Sequence, residues 1–395
     1  MARENLKEIK IKHPIFINPF WAYSLIWTVV LLLYYISPSE LNKGLKSSLI
    51  AFFVLTIFIS FLLGCWANRR LKNRTIKLKY CRFSRLFLFL LVLIYLLEIL
   101  YSKTIPLLSH GASYKEFGIP TIHVLIVNIS LFYFIYRTFL LINFFKKGDL
   151  LAVLVPLAYF CLIYSRGLII FALAVTVCLF FIDKTIKKKY IVLTAVFGLI
   201  AMLAFGALGN IRSGDKWNDT TYLMALAHIQ GNPKSIGSML YWVEEYLTCS
   251  LRNLNYNLGL STQTNLTNFL YCITPDFIAK RIFGNANTSF ALVVPAFTTG
   301  TAFVYGYNSL GITGMIIQYV FYMAVPAIIL NLRIKSEYKI MCLAILFFLY
   351  AMSMFDNMLF YSGYSFVIII VLLYPIFVNL KRAQLSVQSN RCNAK

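Results

Sequence analysis

Apolar residues fall in ten long runs separated by short polar segments. A helix that crosses the hydrocarbon core of a bilayer needs about 20 mostly apolar residues. Backbone groups inside a bilayer must form their hydrogen bonds internally, and the runs are continuous rather than alternating, so we expect helices and not a membrane barrel. The predicted spans are Trp21–Ser37, Ser47–Trp66, Leu86–Tyr101, Thr121–Phe145, Leu150–Tyr164, Leu168–Ile182, Ile191–Leu208, Gly311–Leu332, Ile340–Phe355 and Tyr364–Leu380.

The distribution of lysine and arginine predicts how these helices are oriented. With the N-terminus inside, 25 of the 37 basic residues fall in inside segments, eight of them between Arg69 and Arg85. This bias predicts ten spans with both termini in the cytoplasm. The first run lacks a small-residue cleavage site, so we interpret it as an uncleaved helix.

Composition excludes several other classes of protein. Of the 395 residues, 60% are hydrophobic and only 13% are charged, whereas soluble domains have about 25% charged residues. The 26 tyrosines and 34 phenylalanines exclude a disordered chain. The net charge of +23 would suit nucleic acid, but the basic segments are short and lie beside predicted spans. We therefore interpret them as topology signals and expect no nucleic-acid partner.

The fold class predicted is an all-α polytopic membrane protein in three parts. Residues 1–208 form an N-terminal bundle of seven helices, residues 209–310 form a large outward loop, and residues 311–395 form three helices and a short cytoplasmic tail. Ser289–Tyr305 is apolar enough to cross the membrane, but a span there would move Arg333–Lys339 outside. Pro295 and Gly300 also interrupt it, so we expect a re-entrant or surface segment.

Inside the loop, Ser238–Leu258 is predicted to be a helix with two distinct faces. One face is an apolar stripe. The other combines aromatic, acidic and basic side chains, which is typical of a sugar-binding surface because rings pack on pyranoses and charges bind hydroxyl or phosphate groups. A helix on the membrane surface with a solvated Glu/Arg face remains an open alternative. The residues of the second face are Trp242, Glu245, Cys249, Arg252 and Tyr256.

Two arginines lie at predicted outer helix ends, where positive charge opposes the usual topology signal. Arg166 lies in the hairpin Tyr164–Gly167, and Arg212 lies in Gly209–Gly214 where the seventh helix ends. The planar guanidinium group binds phosphate or diphosphate through paired hydrogen bonds. We expect the two to bind a lipid diphosphate, and the alternative is that they snorkel or pair with helix dipoles.

Motifs of soluble enzymes are missing. The sequence has no phosphate loop, dinucleotide fingerprint or zinc-binding helix motif, and its four histidines lack metal-ligand spacing. We expect no metal and no cofactor. Few ionisable residues fall inside the spans, which argues against an ion-coupled transporter.

Three short motifs stand out together: Ser165–Gly167 after a span, Gly209–Arg212 at the start of a large outer loop, and Tyr305–Gly314 at its end. In these motifs the chain resembles the oligosaccharide repeat-unit polymerases, the O-antigen polymerases of the Wzy type. The resemblance implies a GT-C-like glycosyltransferase of the bacterial inner membrane. Such enzymes join repeat units carried on undecaprenyl diphosphate into O-antigen or related surface polysaccharide at the periplasmic face. The resemblance also implies that a flippase and a chain-length regulator are partners and that no nucleotide sugar serves as donor.

The expected site combines residues matched to the family with residues chosen from the sequence alone. Arg166 and Arg212 match the family pattern, and Arg252 is added from the loop helix. A general base would take the proton of the acceptor hydroxyl. The expected residues are Glu245, His228 and Asp276 as catalytic candidates, with Glu244 and Asp215 as further carboxylates; Arg166, Arg212 and Arg252 for the diphosphate; and Trp242 and Tyr256 for the sugar. An O-antigen ligase-like transferase and a lipid-linked oligosaccharide flippase remain alternatives.

Overall fold

The computed structural model describes residues 6–81, 84–108, 117–184, 188–260, 264–284 and 289–375. Within these ranges the chain is mostly helical, and each predicted apolar run coincides with a helix. Seven helices of the described chain are long and apolar enough to cross a membrane, so the molecule is a polytopic helical membrane protein. The predicted end of the last span and the C-terminal tail lie outside the described residues.

The described helices are numbered α1 to α14 in chain order. The seven that meet the length and hydropathy expected of a span are α1, α2, α3, α4, α7, α12 and α13. The bounds are α1 Pro19–Ile36, α2 Ser47–Leu71, α3 Arg85–Ser102, α4 Ile122–Phe144, α5 Lys147–Leu162, α6 Arg166–Phe181, α7 Lys188–Arg212, α8 Thr221–Ala227, α9 Tyr241–Asn257, α10 Leu266–Ile273, α11 Asp276–Phe283, α12 Val304–Asn331, α13 Ser336–Ala351 and α14 Ser362–Pro375.

Local sequence signals explain where α1 begins. Asn18 is its N-cap: its side-chain oxygen accepts the backbone N–H of Trp21, and Pro19 occupies the first helical position, where its missing N–H has no helical partner to lose. The side-chain amide of Asn18 donates to the carbonyl of Gly64 on α2 at 2.8 Å. One buried asparagine therefore both caps α1 and fixes it beside α2.

A two-stranded antiparallel sheet joins the segments before α1 and after α2. Strand β1 (Leu6–Lys10) pairs with β2 (Thr75–Lys79), with Ile9 opposite Ile76. Apolar and charged residues alternate along β2, where Ile76 and Leu78 are buried, and Ile9 of β1 is buried on the same side of the sheet. The search for long apolar runs did not predict this sheet because each strand has only five residues.

Contacts between the connecting segments place them on two opposite faces of the bundle. The sheet face carries β1 and β2, and the ends of α2, α4, α6 and α12 lie beside them: Lys7 Nζ donates to the carbonyl of Asn143, and the backbone N–H of Lys12 donates to the carbonyl of Ile182. The loop face carries α8 to α11 and the α1–α2 connection. These two groups are the same as the segments that the sequence assigns to opposite sides of the membrane.

The helices differ greatly in how much of their surface is covered. Most residues of α4 and α13 are buried, because α4 packs against α5 and α6 and α13 packs against α1, α6 and α12. Only a small part of α7 is buried, and its main neighbours are α9 and the 3₁₀ turn Ile236–Leu240. The core of the bundle therefore excludes α7, which lies at its edge.

The apolar stretch that was ambiguous in the sequence does not form a helical span. Residues 289–303 are not helical, and side-chain amides of α9 hold their backbone: Asn253 donates to the carbonyls of Phe297 and Thr299, and Asn257 donates to the carbonyl of Ala291. The structure agrees with the interpretation of this stretch as a non-spanning segment.

The end of this segment enters the bundle and then turns back. Phe303 is fully buried among rings of α1, α2 and α12. A Cβ on Gly306 would lie 2.4 Å from Oε1 of Gln318, although residues twelve apart in a straight helix are about 18 Å apart. The chain therefore reverses within α12, at Leu310 and Gly311, where Gly311 has a φ of 62° that favours glycine. This reversal coincides with the predicted start of the eighth span.

Candidate functional site

The predicted loop helix is α9, and its Glu245 and Arg252 form a buried ion pair. Nη2 and Nη1 of Arg252 lie 2.9 and 3.1 Å from the two carboxylate oxygens, and the side chains are 3% and 1% exposed. Arg252 also donates to Asn42 Oδ1 at 2.8 Å and to Ser39 Oγ at 3.3 Å. The pair thus binds the α1–α2 connection to α9.

The buried ion pair affects the roles that the sequence predicts for Arg252 and Glu245. Arg252 was expected to bind diphosphate and Glu245 to act as a base, and both roles stay predictions. Because a ligand would first have to separate two buried charges, the geometry favours a structural role for each. Cys249, on the same face of α9, is also covered, with its sulfur 3.1 Å from Thr299 Oγ1.

The neighbouring Glu244 has a different environment. Its Oε1 accepts a hydrogen bond from Thr248 Oγ1 at 3.2 Å, and its Oε2 is buried. Burial raises the pKa of Glu244 to about 7; the charge of Glu245 adds to the rise, and hydrogen bonds from Ser37 and Thr248 oppose it. This carboxyl group therefore changes protonation near neutral pH.

Trp242 fixes the end of α7 against α9. Its indole Nε1 donates to Oδ1 of Asn210 at 2.7 Å, and a Cβ on Gly209 would lie 2.6 Å from the ring. Gly209 and Asn210, two residues of the quoted motif, therefore let the two helices approach closely. The half-buried Trp242 therefore has a packing role, and its contact with a sugar stays a prediction. Tyr256 is 48% exposed and does not pack between the two helices.

The other two catalytic candidates lie apart from each other. His228 ends α8 in the left-handed region and has an exposed side chain. Asp276 begins α11, and its Oδ1 accepts backbone N–H groups of Phe277 and Ser362 at 2.9 and 2.8 Å. Its Oδ2 lies 3.5 Å from Lys280 Nζ. Asp276 thus connects α11 to the start of α14, and the structure does not bring it to His228.

Arg166 and Arg212 are exposed at the loop face, as the sequence predicts. Arg166 begins α6, where its Nη2 donates to the hydroxyl of Tyr164 at 2.6 Å; Arg212 ends α7. Neither has a carboxylate partner among the described residues. Because the N-terminus of a helix also favours anions, the surroundings of Arg166 suit a phosphate group.

The sequence analysis missed Asp356, in the turn between α13 and α14. Its Oδ2 accepts a hydrogen bond from the hydroxyl of Tyr361 at 2.8 Å, and its Oδ1 accepts the backbone N–H of Asn357. Burial raises the pKa of Asp356 to about 6. A signal existed in the sequence, since Asp356 is an acid directly between two predicted spans at their outer end.

A series of contacts connects the turn to both exposed arginines. On one side, a Cβ on Gly167 would lie 2.2 Å from the hydroxyl of Tyr364, one helical turn after Tyr361. On the other side, Phe355 stacks on Tyr246 of α9, and Tyr246 packs edge-on against Phe205 of α7. The turn therefore lies between the α6 end that carries Arg166 and the helix that ends at Arg212. No described contact joins the two arginines directly.

The described residues contain no group of three or more His, Cys, Asp or Glu side chains placed to hold a metal ion. The loop face carries exposed guanidinium groups and carboxyl groups with raised pKa values. In comparisons with known proteins, no family, no curated protein and no solved structure matches this chain.

Proposed function

We propose that this protein is a membrane glycosyltransferase that polymerises oligosaccharide repeat units carried on undecaprenyl diphosphate. Its loop face lies in the periplasm and its sheet face in the cytoplasm of a bacterium with an inner membrane. Ten helices cross the membrane in a GT-C-like bundle. They are the seven long apolar helices together with the shorter α5, α6 and α14. The product is O-antigen or a related surface polysaccharide.

The observation that supports this proposal best is the position of Arg166 and Arg212. Both are exposed at the loop face without a carboxylate partner in the described structure, on either side of the turn that holds Asp356. A diphosphate leaving group needs positive charge where its own charge develops. The resemblance of Ser165–Gly167 and Gly209–Arg212 to the repeat-unit polymerases supports the same assignment.

The proposed reaction is a direct displacement. Asp356 takes the proton of the acceptor hydroxyl at the non-reducing end of the incoming unit. The oxygen then forms a bond to C1 of the reducing-end sugar of the growing chain, and the bond from C1 to the lipid diphosphate breaks. Arg166 and Arg212 stabilise the charge of the departing undecaprenyl diphosphate.

We assign the base to Asp356 because the other carboxylates fit the role less well. Glu245 and Asp276 each lie beside a basic side chain, Arg252 and Lys280 respectively, whereas the recorded partners of Asp356 are the neutral Tyr361 and Asn357. Glu244 also has a raised pKa, but it lies on the side of α9 that faces Thr248 and Ser37, opposite to Tyr246 and the turn.

Purified protein in lipid, supplied with synthetic lipid-linked repeat units, tests the proposal. Removing one preorganised donor to developing charge commonly lowers kcat about 10²–10³-fold, so we expect losses of that order for Arg166→Ala and Arg212→Ala. Asp356→Asn is expected to lose polymerisation while Glu244→Gln, its control, retains it. Full-length polymer at the normal rate from both arginine variants contradicts the diphosphate assignment.

A deletion strain separates the proposal from its rivals. Loss of a polymerase leaves the lipopolysaccharide core capped with single repeat units, whereas loss of a ligase leaves bare core. An unchanged ladder of long chains contradicts both transferase functions.

A further inference from the structure

A basic pocket lies at the sheet face, away from the site proposed above. Three cationic side chains from three elements line it: Arg70 at the end of α2, Arg74 before β2, and Lys339 in the first turn of α13. Two hydroxyl side chains, Thr75 and Ser336, line it as well. Its remaining walls are apolar and consist of Ile11, Leu71, Ile76, Leu330 and Ile340.

The fold holds these three cations together without a neutralising acid. Nη1 of Arg70 donates to Asn331 Oδ1 at 2.6 Å, and Nζ of Lys339 donates to the carbonyl of Leu330 at 2.9 Å, so both use neutral acceptors. The ammonium group of Lys339 is repelled by both Arg70 and Arg74. No carboxylate lines the pocket; Glu337, the acidic residue in the first turn of α13, interacts with the charge of Lys335, and Glu8 pairs with Lys77.

Topology signals alone do not require this arrangement. Basic residues that only orient a helix function equally well when they are dispersed in solvent. Here two of them lie on ordered backbone: the N–H of Ile11 donates to the carbonyl of Arg74, and Lys339 lies in the first turn of α13. The pocket also includes the start of α13, where Lys335 makes no side-chain cap and where the helix favours negative charge.

We propose that this pocket binds a phosphate group. Two guanidinium groups, an ammonium group and two hydroxyl groups match phosphate oxygens. Because the pocket lies at the ends of three membrane helices, α2, α12 and α13, the phosphate can belong to an anionic phospholipid headgroup or be free in solution. Basic pockets between helix ends are a general form of headgroup recognition.

The test compares two variants with equal loss of charge. Arg74→Gln with Lys339→Gln removes two lining cations, whereas Lys72→Gln with Lys77→Gln removes two exposed cations on the same face that do not line the pocket. Full-length protein is reconstituted in nanodiscs that contain phosphatidylglycerol and phosphatidylcholine. Native mass spectrometry then measures the phosphatidylglycerol that remains bound, and a second arm measures protection by inorganic phosphate against thermal unfolding in detergent.

We expect the lining variant to lose about tenfold or more of its affinity for phosphatidylglycerol or for inorganic phosphate, while the exposed variant stays near wild type. Protection by inorganic phosphate identifies a soluble ligand, and retention of phosphatidylglycerol alone identifies a headgroup; either supports the proposal. Equal binding by both variants, or no binding of either probe by the wild type, overturns it. Arg74→Lys, which keeps the charge, must retain binding if the loss is electrostatic rather than a failure to fold.

Discussion

Arg166 and Arg252 are both arginines of the loop face, and the sequence predicts the same diphosphate ligand for each. In the structure, Arg252 is 3% exposed and binds both carboxylate oxygens of Glu245. Arg166 is exposed, and its recorded partner is the neutral hydroxyl of Tyr164. The difference shows that an arginine is available to a ligand only where the fold has not already used its charge.

Removing one member of the buried pair is expected to give the largest effect on stability. Arg252→Ala leaves Glu245 buried without its partner, which costs about 3–5 kcal/mol in the free energy of unfolding. Thermal and denaturant unfolding in detergent, followed by tryptophan fluorescence, measures the loss. Arg212→Ala is the matched control, because this arginine of the same face is exposed, and surface substitutions change stability by about 0.5 kcal/mol or less.

A double variant tests whether the loss of stability comes from the charge that is left unpaired. Buried ion pairs replaced by apolar residues of similar volume are commonly neutral in stability. We therefore expect Glu245→Leu with Arg252→Met to lie closer to wild type than Arg252→Ala alone. If Arg252→Ala and Arg212→Ala have the same stability, the distinction between a paired and an exposed arginine fails.

The next prediction compares Glu245 with its neighbour Glu244. The pKa of Glu244 is raised to about 7 from 4.5, so the folded protein binds this proton more tightly than the unfolded chain does. Its protonation therefore stabilises the fold as the pH falls below about 7, and the gain is complete below the unfolded pKa. Between pH 8 and pH 6 we expect the free energy of unfolding to rise by about 1 kcal/mol.

Unfolding curves of the wild type and of Glu244→Gln at several pH values measure this effect. The amide is neutral throughout, so the variant is expected to lose most of the rise between pH 8 and pH 6 and to keep the smaller part that Asp356 contributes. Asp356→Asn is the matched control, because the pKa of Asp356 is raised only to about 6 and the variant keeps the Glu244 response. An identical pH profile for wild type and Glu244→Gln contradicts the environment described for Glu244.

The fold was predictable from the sequence because bilayer crossing depends on local composition. Each run of apolar residues specifies its own helix without tertiary information, and seven of the ten predicted spans are helices long and apolar enough to cross a membrane. The sheet of Leu6–Lys10 and Thr75–Lys79 was missed, because its strands are short and pair across a long separation in sequence. Apolar and polar residues alternate in Thr75–Lys79 but not in Leu6–Lys10, and five residues are too few to distinguish a strand from a polar connection.

The site was less predictable because its chemistry depends on groups distant in sequence. Glu245 and Arg252 were correctly placed on one face of a helix, but nothing local indicates that Asn42 covers them. Asp356 was missed for the same reason: its hydrogen bond from Tyr361 is local, whereas its position beside α9 comes from Phe355 packing on Tyr246. Local patterns therefore predicted where charges lie along the helices, but not which of them remain available.

The smallest effect is expected for an ion pair that is exposed. Nζ of Lys77 lies 3.9 Å from Oε1 of Glu8, with side chains 70% and 61% exposed. Water screens both charges, so Lys77→Gln and Glu8→Gln are each expected to change the free energy of unfolding by about 0.5 kcal/mol or less, with a coupling energy of the same order in a double-mutant cycle. Raising the salt concentration should remove that coupling while leaving the penalty of Arg252→Ala largely intact. If the exposed pair couples as strongly as Glu245 with Arg252, then burial is not what distinguishes the arginines of this protein, and the availability of Arg166 for a ligand needs another explanation.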